Sequence, residues 1–427
     1  MGLTALALCV QDLGIKVTGT DVEEEFVTDE TLKRRGITWS IGFNADHLDP
    51  KPDLVVTTGA HGGLNNPEVL AAKKLGISVM THEEALSAIT FGKEVIAVCG
   101  VGGKSTTSAM IASIFDVAGL RPSFAIGVGN IPSLGAPGRY DRGKNLPAGR
   151  QVFIVEADEY AVSPGVDNTP KFLYFDPKVI VVTNIEHDHP DIYPTIGDTK
   201  TAFKKFFEKL PPDGSLIFNE NDTNTIDIVN SLNVPKQKYS KENLDLNVPG
   251  EFNQLNASAA ASAARFFGID EGKIKDGLKK FTGTKRRFEK VKEAKGVIFI
   301  DDYAHMPNEI QVTLKAVKNI YSGKRIIAVF QPHTYSRTKA LFAPFAESFS
   351  YADVVGIMDI YASAREKKDD SVSGRTLSEA ISLYNEEVEY TGDHERTTKW
   401  IREKMQSGDV VITMGAGDIF KIHELLK

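Results

Sequence analysis

Cysteine is scarce in this chain: Cys9 and Cys99 are the only two in 427 residues, and both sit in apolar stretches. Two buried free thiols build no disulfide framework, and they fit a reducing, cytoplasmic compartment. Long hydrophobic runs are missing too. Nothing approaches the roughly 20 apolar residues of a membrane helix, so no membrane insertion is expected. The N-terminus lacks the basic flank and apolar core of a secretory signal. Positive charge is in short supply, with 50 Lys and Arg against 57 Asp and Glu. A formal net charge of −7 argues against a general nucleic-acid binder, which needs clustered cations to neutralise phosphates. A local basic pocket for a small anion remains open. Internal repeats and low-complexity tracts are absent. What is left, 41% hydrophobic and 25% charged residues, is the composition of a soluble globular protein of two to four domains.

The pattern along the chain is α/β. "MGLTALALCVQDLG" reads as a helix and "IKVTGTD" as a strand ending in Asp21. "ITWSIGF", "DLVVTTG" and "ISVMT" continue as strands with helices between them. Helices alternating with short β-branched strands predict a mainly parallel sheet. Such a unit normally opens on a strand and a glycine-rich turn, so a start at the helix suggests that the first strand is missing from this sequence. A second alternation begins at "EVIAVCG", and a third follows "GTKRRFE" with "GVIFIDD", "RIIAVFQ", "DVVGIMD" and "DVVITMG". Three α/β domains with seams near residues 92 and 284 are expected. Residues 135–149, rich in Gly, Pro and charge, read as an exposed loop.

The chemistry begins at Val98–Met110, "VCGVGGKSTTSAM", a strand-to-helix turn. Glycines free backbone N–H groups for a phosphate at a helix N-terminus, a lysine adds a point charge, and Ser or Thr can hold Mg²⁺. Gly100, Gly103, Lys104, Ser105 and Thr106 supply these parts, although position 98, where the longer loop has its first glycine, is Val. Mg²⁺ takes few protein ligands, usually carboxylates, and ligands of open parallel sheets sit at strand C-termini. "VFIVEADEY" brings Glu156, Asp158 and Glu159 to one such end, and "VIVVTNIEHDH" brings Asn184, Glu186, His187, Asp188 and His189 to another. The third block adds Asp301, Asp302, Tyr303 and His305, then His333, Arg337 and Lys339. An arginine fork matches the carboxylate of an amino acid. Arg286 and Arg287 stand at the seam, where a cation could reach phosphate.

Taken in order, "GVGGKSTT", "EADE", "TNIEHDH", "NxxNAxAA", "RRFE", "DDYAHxP", "QPHTYSRT" and "MGAGDI" resemble the Mur ligases over essentially the whole chain. That family builds the peptide of peptidoglycan in the cytoplasm, and its short phosphate loop is the one seen here. The resemblance implies ATP and Mg²⁺ as cofactors and an acyl-phosphate route to an amide. "DDYAHxP", "QPHTYSRT" and "MGAGD" point to the branch that joins L-alanine to UDP-N-acetylmuramate. The longer spacing from Glu156 to His189 and "EADEY…KFLYFDP" point instead to ligases that recycle a murein tripeptide, and a non-catalytic relative is the third reading. The implied domains are 1–92 for the UDP-sugar, truncated at its N-terminus; 93–283 for ATP; and 284–427, Rossmann-like, for the amino acid. A monomer or homodimer is expected.

The implied site residues follow the motifs. Lys104 would contact the β- and γ-phosphates, and Ser105 and Glu156 would hold one Mg²⁺, with His189 on a second. Gly100, Gly103 and Thr106 would complete the cradle, while Asn253 and Asn256 would line the base pocket. Arg287 would face phosphate, Asp302 and His305 would line the ATP and amino-acid side, and His333 and Arg337 would orient the alanine carboxylate. Asp21 is expected to contact the UDP-sugar. Departures from the family pattern are the lost glycine turn before Gly2, Val101 and Gly102 in place of Thr and His, Phe252 in place of His, and Met306 in place of the second His of "DDYAHHP".

Overall fold

A computed structural model describes residues 2–143, 151–362 and 368–426. The chain forms two compact units, one running through Val248 and resuming at Asn253–Lys285, the other made of Pro249–Phe252 and Arg286–Lys427. Among the described residues no helix is long and apolar enough to cross a membrane.

The first unit starts with helix Gly2–Asp12, then β1 (Thr18–Asp21), β2 (Thr38–Ile41), β3 (Leu54–Thr57) and β4 (Ser78–Thr81). They pair as two separate parallel ribbons, β1 with β2 and β3 with β4. Ala5, Leu6 and Cys9 of the first helix are buried in the same core as Ala97 and Phe153 of the following sheet. The N-terminal block therefore packs on the middle one through an apolar helix face. Helix His82–Thr90 starts at a reciprocal cap: Thr81 Oγ1 accepts from the Glu84 N–H at 3.3 Å, and Glu84 Oε2 accepts from the Thr81 N–H at 2.7 Å.

The middle sheet contains β5 (Glu94–Cys99), β6 (Ser123–Ala125), β7 (Gly138–Arg139), β8 (Val152–Glu156), β11 (Val179–Val182), β12 (Ser215–Asn219) and β13 (Lys236–Tyr239); β9 (Ala161–Ser163) and β10 (Asp167–Pro170) form a hairpin of their own. Its order is β13-β12-β11-β5-β8-β6-β7, parallel except for β7 against β6. Central parallel strands are covered on both faces, so they read as unbroken apolar runs. In β5 the side chains alternate: Ile96 and Val98 enter one core, and Val95, Ala97 and Cys99 enter the other. Ala257, Ala260, Ala261 and Ala264 of helix Glu251–Phe266 are fully buried, small side chains that let this helix lie close to its neighbours. β5 has β8 on one side and β11 on the other, which brings three strand C-termini to one edge.

One local expectation needs correction. Residues 135–149 are not simply a solvated loop: Gly138 and Arg139 form β7, and a Cβ on Gly138 would collide with the backbone of Ala5. Arg139 pairs with Asp116 at 2.9 Å and lies over the Phe124 ring. Residues 144–149 of that stretch lie outside the described residues. The β9–β10 hairpin was also not foreseen, because its strands are short, Pro170 ends the second and Pro164 and Gly165 stand between them.

The second unit is a six-stranded sheet of β14 (Glu289–Ala294), β15 (Val297–Asp302), β16 (Ile326–Phe330), β17 (Val354–Met358), β18 (Val388–Gly392) and β19 (Val410–Met414), ordered β14-β15-β19-β16-β17-β18. Only β14 is antiparallel. Its sequence "EKVKEA" is mostly polar, so it carries no apolar signal. Both faces of the sheet are covered, by one core around Ile300, Phe330 and Ile357 and another around Phe299, Val329 and Trp400.

Candidate active site

β5 leads through a turn of three glycines into helix Lys104–Val117. Gly100 and Gly103 hold φ at +126° and +82°, a region L side chains avoid. A Cβ on Gly103 would run into Asn256 Oδ1, and one on Gly100 into Thr183 Oγ1. The backbone is therefore exposed at a helix N-terminus, where an anion is favoured. Asn184, at the tip after β11, fixes the loop: its Oδ1 accepts from the Gly102 N–H at 2.8 Å and its carbonyl from the Val101 N–H at 3.1 Å. Val101 and Gly102 thus remove two side chains without releasing the loop backbone.

The Lys104 ammonium donates to both oxygens of Glu159, at 2.8 and 3.1 Å, and lies 3.8 Å from Asp158. Burial alone would lower its pKa; Glu159 and Asp158 outweigh that and hold it above the ordinary lysine value. Asp158 also accepts from Lys171 at 2.9 Å. Burial opposes its ionised form, yet Lys171, then Lys104 and His189, hold it well below the usual carboxylate range. Ser105 Oγ donates to Glu156 Oε1 at 2.9 Å, and Glu156 Oε2 accepts from the Gly127 N–H at 2.8 Å. A hydroxyl beside a carboxylate, next to a glycine cradle that a Cβ would fill, is a hard-oxygen set that suits Mg²⁺ on a bound polyphosphate.

His189 stands on the loop after β11 with φ +56°. Its Nε2 is 3.5 Å from Asp188 Oδ2 and 3.7 Å from Glu159 Oε1. Ligand atoms of Asp158, Glu159 and His189 all lie within 4.8 Å of one another. The structure therefore brings Lys104, Ser105, Glu156 and His189 to one strand edge, and adds Glu159 as the group on which Lys104 and His189 meet. The sequence offered Glu159 among the acidic tips but gave no reason to separate it from its neighbours. Thr106 is buried in the first helical turn. Asn253 and Asn256 are buried one turn apart, and Asn256 Nδ2 donates to Asn253 Oδ1 at 3.4 Å.

Asp21 lies at the C-terminus of β1, half-exposed, 3.8 Å from His61 Nε2. His61 has φ +51°, and its ring centroid is 5.4 Å from that of Phe43. Sequence reasoning missed this histidine; the signal was its place beside a Gly-Gly pair after a strand.

In the second unit the polar residues gather where β15 and β16 end. Asp302 accepts from the Phe288 N–H at 2.6 Å and the Ala304 N–H at 2.7 Å. Burial pushes its carboxyl up to about 6, against the pull of Arg287 and those two donors. The Arg287 guanidinium lies 4.7 Å from the Tyr303 ring centroid. Arg286 is spent internally: it pairs with Asp301 at 3.0 Å and donates to the carbonyls of Gly415 and Gly417. His305 Nδ1 is 3.0 Å from the Tyr303 carbonyl. His333 stacks on Tyr361, with centroids 5.7 Å apart, and its Nδ1 is 3.1 Å from Arg337 Nη1. Met306 is buried at the start of helix Pro307–Ile320, and the Phe252 ring faces Phe288 at 6.1 Å.

Three descriptions from one family match this chain in order: the Mur ligase family catalytic domain over residues 1–93, the Mur ligase middle domain over 98–246 and the Mur ligase glutamate ligase domain over 286–417. UDP-N-acetylmuramate–L-alanine ligase of Lachnospira eligens is 36% identical, with 100% of this chain and 96% of that protein covered. The protein of the same name from Clostridium acetobutylicum is 37% identical over 100% and 95%. Among solved structures, UDP-N-acetylmuramate–alanine ligase of Thermotoga maritima gives a TM-score of 0.79 at 25% identity, covering 100% of this chain and 95% of its own. A murein peptide ligase from Psychrobacter arcticus shares the fold, with a TM-score of 0.74 at 23% identity over 99% and 95%.

Proposed function

The chain belongs to the Mur ligase family, and we propose that it joins L-alanine to UDP-N-acetylmuramate at the expense of ATP, in the cytoplasm. The observation that carries the reading is the meeting of Lys104, the Ser105–Glu156 pair and His189 at the carboxyl edge of β5, β8 and β11, in a chain 36% identical over its full length to an alanine-adding ligase. A carboxylate is a poor electrophile. Its oxygen takes the γ-phosphoryl group, ADP leaves, and the alanine amine then displaces phosphate from the acyl carbon to leave an amide.

The chain's own residues position and neutralise. Lys104 exchanges Glu159 and Asp158 for phosphate oxygens, and the N–H groups of the glycine turn cradle the chain of phosphates with Thr106. Mg²⁺ on Ser105 and Glu156, and a second ion on His189, would supply charge neutralisation on the transferring group. Asn253 and Asn256 are assigned to the base, Arg287 to phosphate, and Asp302 and His305 to the nucleotide and the amino acid. Arg337, oriented by His333, binds the alanine carboxylate through its planar fork. Asp21 reads the UDP-sugar. In this assignment residues 1–92 hold the UDP-sugar, 93–283 hold ATP and 284–427 hold the amino acid. The test is phosphate release measured with each substrate omitted in turn. Release that needs both UDP-N-acetylmuramate and L-alanine is expected; release with a murein tripeptide but not alanine assigns the recycling reaction, and none with either removes the ligase reading.

A further inference from the structure

We propose that Tyr160 is a positioning residue for His189, holding the imidazole in the orientation that takes a divalent cation; this rests on the reading of His189 as a metal ligand. Tyr160 follows the acidic tip of β8 directly and is 8% exposed. Its ring centroid lies 4.3 Å from that of His189, with the planes 37° apart. The hydroxyl donates to Asp191 Oδ2 at 2.7 Å, two residues beyond that histidine. One side chain therefore touches the imidazole face and also anchors the backbone segment that carries it.

His189 needs such support. It belongs to neither a helix nor a strand, and its positive φ places it in a tight turn whose carbonyl accepts from Ile192 and Tyr193 at 2.9 and 2.8 Å. Within that turn the ring meets Asp188, whose Oδ2 lies 3.5 Å from Nε2, a contact at the ring's edge that leaves its face to Tyr160. The Tyr160 face restricts the ring torsions, and Nε2 then points at Glu159, 3.7 Å away. The tyrosine is itself held from behind, because its carbonyl accepts from the Lys171 N–H at 3.0 Å and the Lys171 ammonium lies 5.7 Å from its ring centroid. Tyr193 ties the same segment to the acidic tip, its hydroxyl donating to the Glu159 carbonyl at 2.5 Å. Groups that orient a metal-binding histidine typically change affinity by about 10–100-fold when removed, and an aromatic face does this without competing for the ring nitrogens.

The experiment is Mn²⁺ binding to the full chain, read from the electron paramagnetic resonance of the free ion, for the wild type, Tyr160→Leu, Tyr160→Phe and His189→Ala. Thermal unfolding of each variant is recorded beside it. Tyr160→Leu is expected to weaken Mn²⁺ binding about tenfold. Tyr160→Phe, which keeps the stacked face and loses only the bond to Asp191, should stay within about threefold of wild type. If Leu binds as wild type while His189→Ala is impaired, the positioning role is wrong and the ligand assignment stands. If His189→Ala also binds as wild type, the ligand assignment itself fails. Equal loss in Leu and Phe would shift the role from the ring to the hydroxyl and overturn the proposal. Should Leu unfold early, Asp191→Ala, an exposed position with no cavity to leave, must match Phe for the proposal to hold.

Discussion

Lys104→Met separates the two jobs this lysine performs. In the folded chain its ammonium is shared between Glu159, at 2.8 Å, and Asp158, at 3.8 Å, and the Glu159 side chain is only 2% exposed. Breaking a buried ion pair from one side costs about 3–5 kcal/mol, because the surviving charge is left without a partner. Among the described residues Asp158 keeps Lys171 at 2.9 Å and Glu159 keeps only His189, 3.7 Å away, so the expected loss is about 3 kcal/mol, the lower end of that range. Urea unfolding of the full chain, followed by circular dichroism, measures it. Ligation should fall at least about a hundredfold, as for loss of one preorganised charge-stabilising group. The second variant makes the argument testable: Lys104→Met with Glu159→Gln removes the stranded charge, so most of the stability returns while ligation stays lost. A single variant as stable as wild type would mean that the ion pair does not exist in solution. A double variant that recovers nothing would place the cost elsewhere, and wild-type turnover in either would falsify the phosphate site.

Gly103→Ala forces an L side chain to φ +82° with its Cβ against Asn256; a cost of about 1–2 kcal/mol and a rise of at least tenfold in the KM for ATP are expected, and a KM like that of wild type would show that the turn does not cradle phosphate. Asp302 gives a pH signature. Its folded pKa of about 6 lies above the ordinary carboxylate value, so the folded state binds the extra proton, and the contribution of Asp302 to stability falls as pH rises from about 4 to about 6 and is flat above. Asp302→Asn should lose that slope, and an unchanged profile would assign it to another group.

Much of the architecture was legible because parallel α/β units write themselves twice, in buried β-branched runs and in the helices between them. "VIAVC" and "VIVV" read as strands, and Gly-Lys-Ser after the first reads as a strand-to-helix turn. What stayed hidden was set by contacts between distant segments. β14 is polar and exists because β15 offers it an edge. β7 exists because Gly138 lets the chain pass against Ala5, 133 positions earlier. The acidic tip shows the same limit at the site. Glu156, Asp158 and Glu159 are equivalent as letters, yet one takes Ser105, one takes Lys171 and one takes Lys104. That division is decided by where the neighbouring turns deliver their partners. The phosphate loop is the clearest case. Judged by its own residues it has lost two side chains at Val101 and Gly102, and a reading confined to the motif counts that as damage. Its backbone is held by Asn184 from the adjacent strand, through bonds to main-chain N–H groups that any residue at 101 or 102 except proline would supply. The positions that must be kept for the cradle to hold its shape are therefore Gly100, Gly103 and Asn184, of which only two lie within the motif.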